Sequence, residues 1–284
     1  MKRAPLFLAV TLALAAAGPA GAVQPATKYA NAPGSLGLVF ENVGFPSVRD
    51  SVPLSGWWFP SATPAPVVVL LPRGRGNMAD LLPGVREFAR RGLAVLVFDP
   101  RDFGPAGAGD VDTLRDVIFA SRWVDDTQAA LTYARKRAAG QPVFAWGQDL
   151  GAALAVSISG RGRALADGIA IEGVFRTSEE QLGWLGLSQD PAIVRRHRML
   201  VDQIDEPFSA ASRAAMPTFV VLAGKDDVTP PATTEAVTGA GRMSPTVWSL
   251  PGATHEGAER TPGYYDRITA WIRMRARQVP VRKH

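Results

Sequence analysis

From residue 67 onward, hydrophobic and polar positions along this chain fall into a repeating order. The run Val67-Val68-Val69-Leu70-Leu71 is continuous and apolar, the pattern of a strand covered on both faces. Residues 79–91 then show helical spacing and stop at Gly92, a residue that readily takes the left-handed conformation ending a helix. Residues 93–98 form another buried strand, closed by Asp99-Pro100. The alternation continues with a helix over 122–139, whose apolar side carries Trp123, Ala130, Leu131 and Ala134. A strand over 142–146, a helix over 150–159 and a strand over 168–174 follow. The strand over 216–223 has Pro217 at its start, where the missing N–H does least harm. A helix over 231–238, a strand over 246–250 and a helix over 264–278 complete the series. Upstream, 38–45 and 52–59 read as two β-rich runs joined by the turn Ser47-Val48-Arg49-Asp50. This order predicts an α/β fold, a mostly parallel sheet with helices on both faces. Ligands of such sheets sit beyond the carboxyl ends of the strands.

One segment breaks the rhythm. About forty residues separate the strand ending near Phe175 from the one starting at Met216, long for a simple connection. They include Trp184, Leu185, Leu187 and the basic run Arg195-Arg196-His197-Arg198. They read as a short helical cap over 176–215, with Trp184 as its candidate site residue; an ordinary helix with a surface loop is the other reading.

The N-terminus sets the compartment. Lys2 and Arg3 precede an apolar stretch over 6–17, and Ala20-Gly21-Ala22 supplies small residues for cleavage. This pattern predicts a secretory signal peptide over 1–22, cut after Ala22, and a secreted or periplasmic protein. The apolar part is short for a membrane span, so no stable insertion is expected once it is removed. Residues 23–37, rich in Ala, Pro, Gly and Asn, read as a linker. One domain over 38–284 then follows, as 284 residues with 46% hydrophobic content allow. The chain has no cysteine, so no disulfide framework holds it and its core must suffice. Losing Lys2 and Arg3 lowers the net charge from +5 to about +3. The basic tail Arg273, Arg275, Arg277, Arg282, Lys283 reads as a solvated helix end rather than a nucleic-acid surface. The expected partner is a small molecule.

The chemistry sits in loops that follow strands. Gly147-Gln148-Asp149-Leu150-Gly151 is a strand-to-helix turn whose glycines permit a strained backbone. Ala223-Gly224-Lys225-Asp226-Asp227-Val228-Thr229-Pro230 is an acidic turn. Pro251-Gly252-Ala253-Thr254-His255-Glu256-Gly257 is a glycine-containing loop with a histidine. Of the other two histidines, His284 is terminal and His197 lies in the basic run. No H-E-x-x-H or other ligand spacing suggests a metal, and no phosphate-loop lysine follows Gly74 and Gly76, so no cofactor is expected.

The order nucleophile, acid, histidine resembles the α/β-hydrolases, and the resemblance covers nearly everything after residue 38. Leu70-Leu71-Pro72-Arg73-Gly74-Arg75-Gly76 looks like that superfamily's oxyanion loop. Residues 91–104, with Arg91-Gly92 and Asp99-Pro100-Arg101-Asp102-Phe103-Gly104, look like a stretch of its esterases and exported peptidase-like members. The resemblance implies a hydrolase of a small ester, amide or alkyl substrate. Asp149 would stand at the nucleophile position and His255 at the base position. Spacing from Gly224 favours Asp227 as the acid, and spacing to Pro230 favours Asp226; Asp227 is chosen, with Asp226 the alternative. Backbone N–H groups of Leu150 and Gly74 are the oxyanion candidates, with Arg73 and Gln148 lining the pocket.

The chain departs from the pattern at several positions. It has Pro72 where His is usual, Arg73 and Asp102 where Gly is common, and Asp149 where Ser is usual. Three readings of Asp149 stay open. It is a carboxylate nucleophile, as in epoxide hydrolases and haloalkane dehalogenases. Their usual helper groups are absent, since Tyr29, Tyr133, Tyr264 and Tyr265 all lie outside 176–215 and Leu150 stands where dehalogenases often have Trp, which leaves Trp184 to help from the cap. Alternatively, Arg73 or Arg75 pairs with Asp149, the site is catalytically degenerate, and the protein is a ligand-binding module. In the third reading Asp149 is a general base on water. Ser157 and Ser159 fall inside the following helix and offer no replacement nucleophile.

Overall fold

The computed structural model describes residues 24–107, 121–161, 165–180, 191–200 and 207–280. Its strands are β1 Gln24–Pro25, β2 Glu41–Pro46, β3 Pro53–Phe59, β4 Val67–Leu70, β5 Arg75–Gly76, β6 Ala94–Asp99, β7 Val143–Gln148, β8 Gly168–Glu172, β9 Thr218–Lys225 and β10 Thr246–Thr254. Its helices are α1 Leu82–Arg90, α2 Ser121–Arg137, α3 Leu150–Gly160, α4 Pro191–Leu200, α5 Pro207–Arg213, α6 Pro231–Gly239 and α7 Tyr264–Ala276. Eight strands form the main sheet in the order β10-β9-β8-β7-β4-β6-β3-β2. From β10 to β6 all neighbours are parallel, and β3 and β2 are added as an antiparallel pair.

The continuous apolar runs have the physical consequence expected of them. β4, β6, β7 and β8 are buried along their whole length. Alternate side chains feed two separate cores, as the two-residue period of a strand requires. Val67, Val69 and Leu96 join Trp123, Leu131 and Leu154 on one face. Val68, Leu70, Val95 and Trp146 join Phe88, Tyr265 and Trp271 on the other. α3 is buried from Leu150 to Ser159, so it carries no polar face and lies against both the sheet and α5.

The stretch read as a linker is partly docked. β1 pairs in parallel with β5, the Ala26 N–H donates to the Gly76 carbonyl (2.7 Å), and Gly104 N–H donates to the Ala26 carbonyl (3.0 Å). Tyr29 donates its hydroxyl to Asp99 at 2.8 Å. Low hydrophobicity hid these ties, because they are made by backbone groups and one phenol rather than by an apolar face. Asp102 has φ 72°, a left-handed conformation that glycine adopts at less cost. The signal segment and Trp184 lie outside the described residues, as do 181–190 and 201–206 of the expected cap. The rest of 176–215 contains α4 and α5.

The elbow after β7 depends on close backbone approach. Asp149 has φ 53° and ψ −116°. A Cβ on Gly147 would lie 2.3 Å from the Gly151 carbonyl carbon, and one on Gly151 would lie 3.0 Å from the Leu71 and Pro72 carbonyl oxygens. Backbone cannot swing aside as a side chain can. Gly147→Ala is therefore expected to cost about 2 kcal/mol or more in urea unfolding. Gly252→Ala, where nothing lies within 4 Å, is expected to leave the midpoint in place.

Candidate active site

β4, β7, β8, β9 and β10 all run the same way and deliver their following residues to one edge of the sheet. Asp149 follows β7, Asp226 follows β9, and His255 follows β10. The imidazole of His255 lies between the two carboxylates. Its Nε2 is 3.0 Å from Asp149 Oδ1, and its Nδ1 is 3.1 Å from both Asp226 oxygens.

The acid beside His255 is thus Asp226, and the choice of Asp227 is corrected. β9 continues to Lys225, and Asp226 then folds back over its own loop. It accepts the Val228 N–H at 2.9 Å, the Thr229 N–H at 2.8 Å and the Thr229 hydroxyl at 2.9 Å. This turn, typical of aspartate, buries Asp226 and leaves Asp227 exposed. Glycine spacing alone could not show which of two adjacent side chains turns inward.

Arg73 does not reach Asp149 as the degenerate reading required. Its guanidinium pairs with Glu259, stacks over Trp146 with the carbon 5.7 Å from the ring centroid, and Arg75 pairs with Glu256 at 3.2 Å. Tyr265 also donates to Glu259. Gln148 and Arg73 do line the same cleft as Asp149 and His255. Leu150 opens α3, and Gly74 lies in the loop after β4.

The sequence reading missed Glu172, the last residue of β8. It is 3% exposed and lines the cleft. Its Oε2 accepts from Gln148 Nε2 at 2.8 Å and from the Tyr264 hydroxyl at 2.7 Å. Its main-chain oxygen accepts the Asp149 N–H at 3.2 Å. The signal was present in Gly-Ile-Ala-Ile-Glu, a buried strand ending on a carboxylate at the functional edge.

Charge in this cleft is unevenly shared. Burial alone would push His255 down, but the hydrogen bonds and charges of Asp149 and Asp226 outweigh it and raise the imidazole to about 10. Burial pushes Asp226 up, yet the bonds from His255 and Thr229 win and lower it. Burial carries Glu172 up to about 7, with the Asp149 charge adding to it, against the lowering bonds from Gln148 and Tyr264. At neutral pH His255 is an imidazolium with both nitrogens donating. Among the described residues no group of His, Asp and Glu has metal-site geometry.

No family model matches the chain. Two uncharacterised proteins from two strains of Mycobacterium tuberculosis are each 26% identical over 219 residues, covering 76% of this chain and 72% of theirs. Among solved structures, an esterase of Pyrococcus furiosus matches with TM-score 0.68 at 15% identity, covering 88% of this chain and 98% of the esterase. An acylaminoacyl peptidase of Pyrococcus horikoshii matches with TM-score 0.64 at 13% identity over 89% of this chain and 45% of its own. A 2,6-dihydroxy-pseudo-oxynicotine hydrolase matches with TM-score 0.65 at 15% identity over 84% of this chain and 68% of its own. The architecture is the α/β-hydrolase fold.

His255 gives this site a pH signature. Its proton is held more tightly in the folded chain than at its ordinary value near 6.5. The stability it contributes is complete below about 6.5 and is lost as pH rises toward about 10. The His255 imidazole resonance is expected to titrate near 10 by NMR and to fall by at least about one unit in Asp149→Asn. A midpoint near 6.5 in the wild-type chain would contradict the paired geometry.

Proposed function

We propose that this protein is an exported hydrolase that uses Asp149 as a carboxylate nucleophile on a small substrate. The observation that supports this reading is the His255 imidazole held between Asp149 at 3.0 Å and Asp226 at 3.1 Å. His255 orients the nucleophile and neutralises the charge around it, while Asp226 fixes the ring. Asp149 attacks an electrophilic carbon, the bond from that carbon to the leaving group breaks, and Asp149 becomes covalently linked to the substrate. Its negative charge is then gone. One of the two groups holding the His255 proton disappears, so burial weighs more heavily and the imidazole becomes more acidic. Having released that proton to the cleft, neutral His255 takes one from water, the resulting hydroxide attacks the Asp149 carbonyl carbon, and the bond from that carbon to the oxygen linked to the substrate breaks. The N–H groups of Leu150 and Gly74 receive the oxyanion.

The cleft formed by the described residues is small, about 10 Å³, room for about one water. Its lining includes Glu256, which is paired with Arg75, and its small size favours small reactants. The signal-like segment over 1–22 supports export, and docking of the chain from Gln24 onward fits a mature protein beginning at Val23. Among the described residues no helix is long and apolar enough to cross a membrane. N-terminal sequencing of the exported protein is expected to start at Val23; retention of Met1 would contradict cleavage.

His255→Gln is expected to accumulate substrate on Asp149, visible as a mass increase of the intact protein on exposure to activated esters, haloalkanes or epoxides. Asp149→Asn is expected to give neither adduct nor turnover. In a single turnover in ¹⁸O-water, the label is expected in the Asp149 carboxylate, because water attacks that carbon. Label in product alone would make Asp149 a general base instead. The absence of adduct and turnover with every class would return the protein to the binding-module reading.

A further inference from the structure

We propose that Glu172 is the proton donor to the leaving atom in this site, and that its substrates therefore break a bond from an alkyl carbon to oxygen. This rests on Asp149 acting as nucleophile. Several observations converge on Glu172. Its side chain is buried, ends a strand adjacent to the one carrying the elbow, and shares the cleft with Asp149 and His255. Its main chain is hydrogen-bonded to the Asp149 N–H at 3.2 Å, which fixes the two residues relative to one another. Gln148 and Tyr264 both donate to Oε2. Oε1 is buried and has no hydrogen-bond partner among the described residues.

A buried carboxylate oxygen without a partner carries an uncompensated desolvation cost, which a proton on that oxygen relieves. A proton on Oε1 turns the same atom into a donor on a residue that lines the cleft. The neighbours favour that proton. Burial is the largest influence, and the Asp149 charge adds to it, while Arg73 and the donors Gln148 and Tyr264 oppose them, leaving Glu172 at about 7. His255, Glu256 and Glu259 are the remaining titratable groups of the cleft. A halide leaves an alkyl carbon without a proton, but an alkoxide does not, so a buried neutral acid assists departure of oxygen and not of halide.

The protons balance around the cycle. Asp149 attacks the alkyl carbon, the carbon–oxygen bond breaks, and the departing oxygen takes the Glu172 proton. Esterified Asp149 loosens the His255 proton, which passes to the Glu172 carboxylate and restores the acid. His255 then takes one proton from the attacking water. The tetrahedral intermediate collapses, the bond from the Asp149 carbon to the alkyl oxygen breaks, and the second proton of that water leaves on the product alcohol. Asp149 is again a carboxylate, His255 an imidazolium and Glu172 a neutral acid.

The test uses 1,2-epoxybutane and 1-bromobutane, which differ in whether the leaving atom needs a proton. In Glu172→Gln, which keeps the shape and an Oε2-like acceptor, the ratio of kcat/KM for the epoxide to that for the bromide is expected to fall by about 100-fold or more. In the wild-type chain the epoxide kcat/KM is expected to fall as pH rises through about 7, and this limb is expected to vanish in Glu172→Gln. Tyr264→Phe removes a bond that favours the anion, so the limb is expected to move to higher pH. An unchanged ratio, or a limb that persists in Glu172→Gln, would overturn the role of Glu172 while leaving Asp149 as nucleophile. Failure of His255→Gln to form any Asp149 adduct with either probe would overturn both.

Discussion

His255 is held by carboxylates that arrive from two different strands, and most of the molecule serves that placement. β7 brings Asp149, β9 brings Asp226 and β10 brings His255, with β8 lying between the first two. The three meet only if three parallel registers are right at once: Gln148 opposite Glu172, Glu172 opposite Val221, and Leu222 opposite Ser249. A slip of one residue would turn the end of a strand to the other face of the sheet. The all-buried runs of β7 and β8 and the two separate cores make such a slip costly. Sheet stability and site geometry are thus the same constraint seen at two scales.

That constraint has an electrostatic side. Among the described residues, Asp149, Glu172, Glu256 and Glu259 crowd one cleft, with Asp226 hydrogen-bonded to its histidine, against only Arg73 and His255 lining the same space. Gathering like charges at low dielectric is unfavourable unless each is paired or neutral. The cleft meets this in three ways. Arg73 is taken by Glu259, aided by Tyr265. His255 is shared by Asp149 and Asp226. Glu172 is pushed up toward its neutral form. The substitutions of Arg at position 73 and Asp at position 149 are therefore not one reciprocal exchange. Each has its own partner, and Asp149 is left facing the imidazole.

The pattern of apolar runs and helical spacings located every strand of the main sheet and the helices that connect them, because burial on both faces leaves a periodicity that local sequence must carry. The same reading found the elbow, the acidic turn and the histidine loop, since each follows a strand and holds residues with restricted backbone choices. It could not separate Asp226 from Asp227, because which neighbour turns inward depends on the Thr229 and Val228 donors folding back. It left pairing of Arg73 or Arg75 with Asp149 open as one of three readings, because loop proximity does not give side-chain direction and the competing Glu259 lies far away in the chain. It passed over Glu172 and Tyr264, whose bond spans 92 residues, and it read 23–37 as a linker because backbone pairing leaves no hydrophobic trace. Element type and order were thus determined by the chain itself through burial periodicity. The pairing of charges across the cleft was decided only by tertiary structure, because it depends on which distant side chains compete for the same partner.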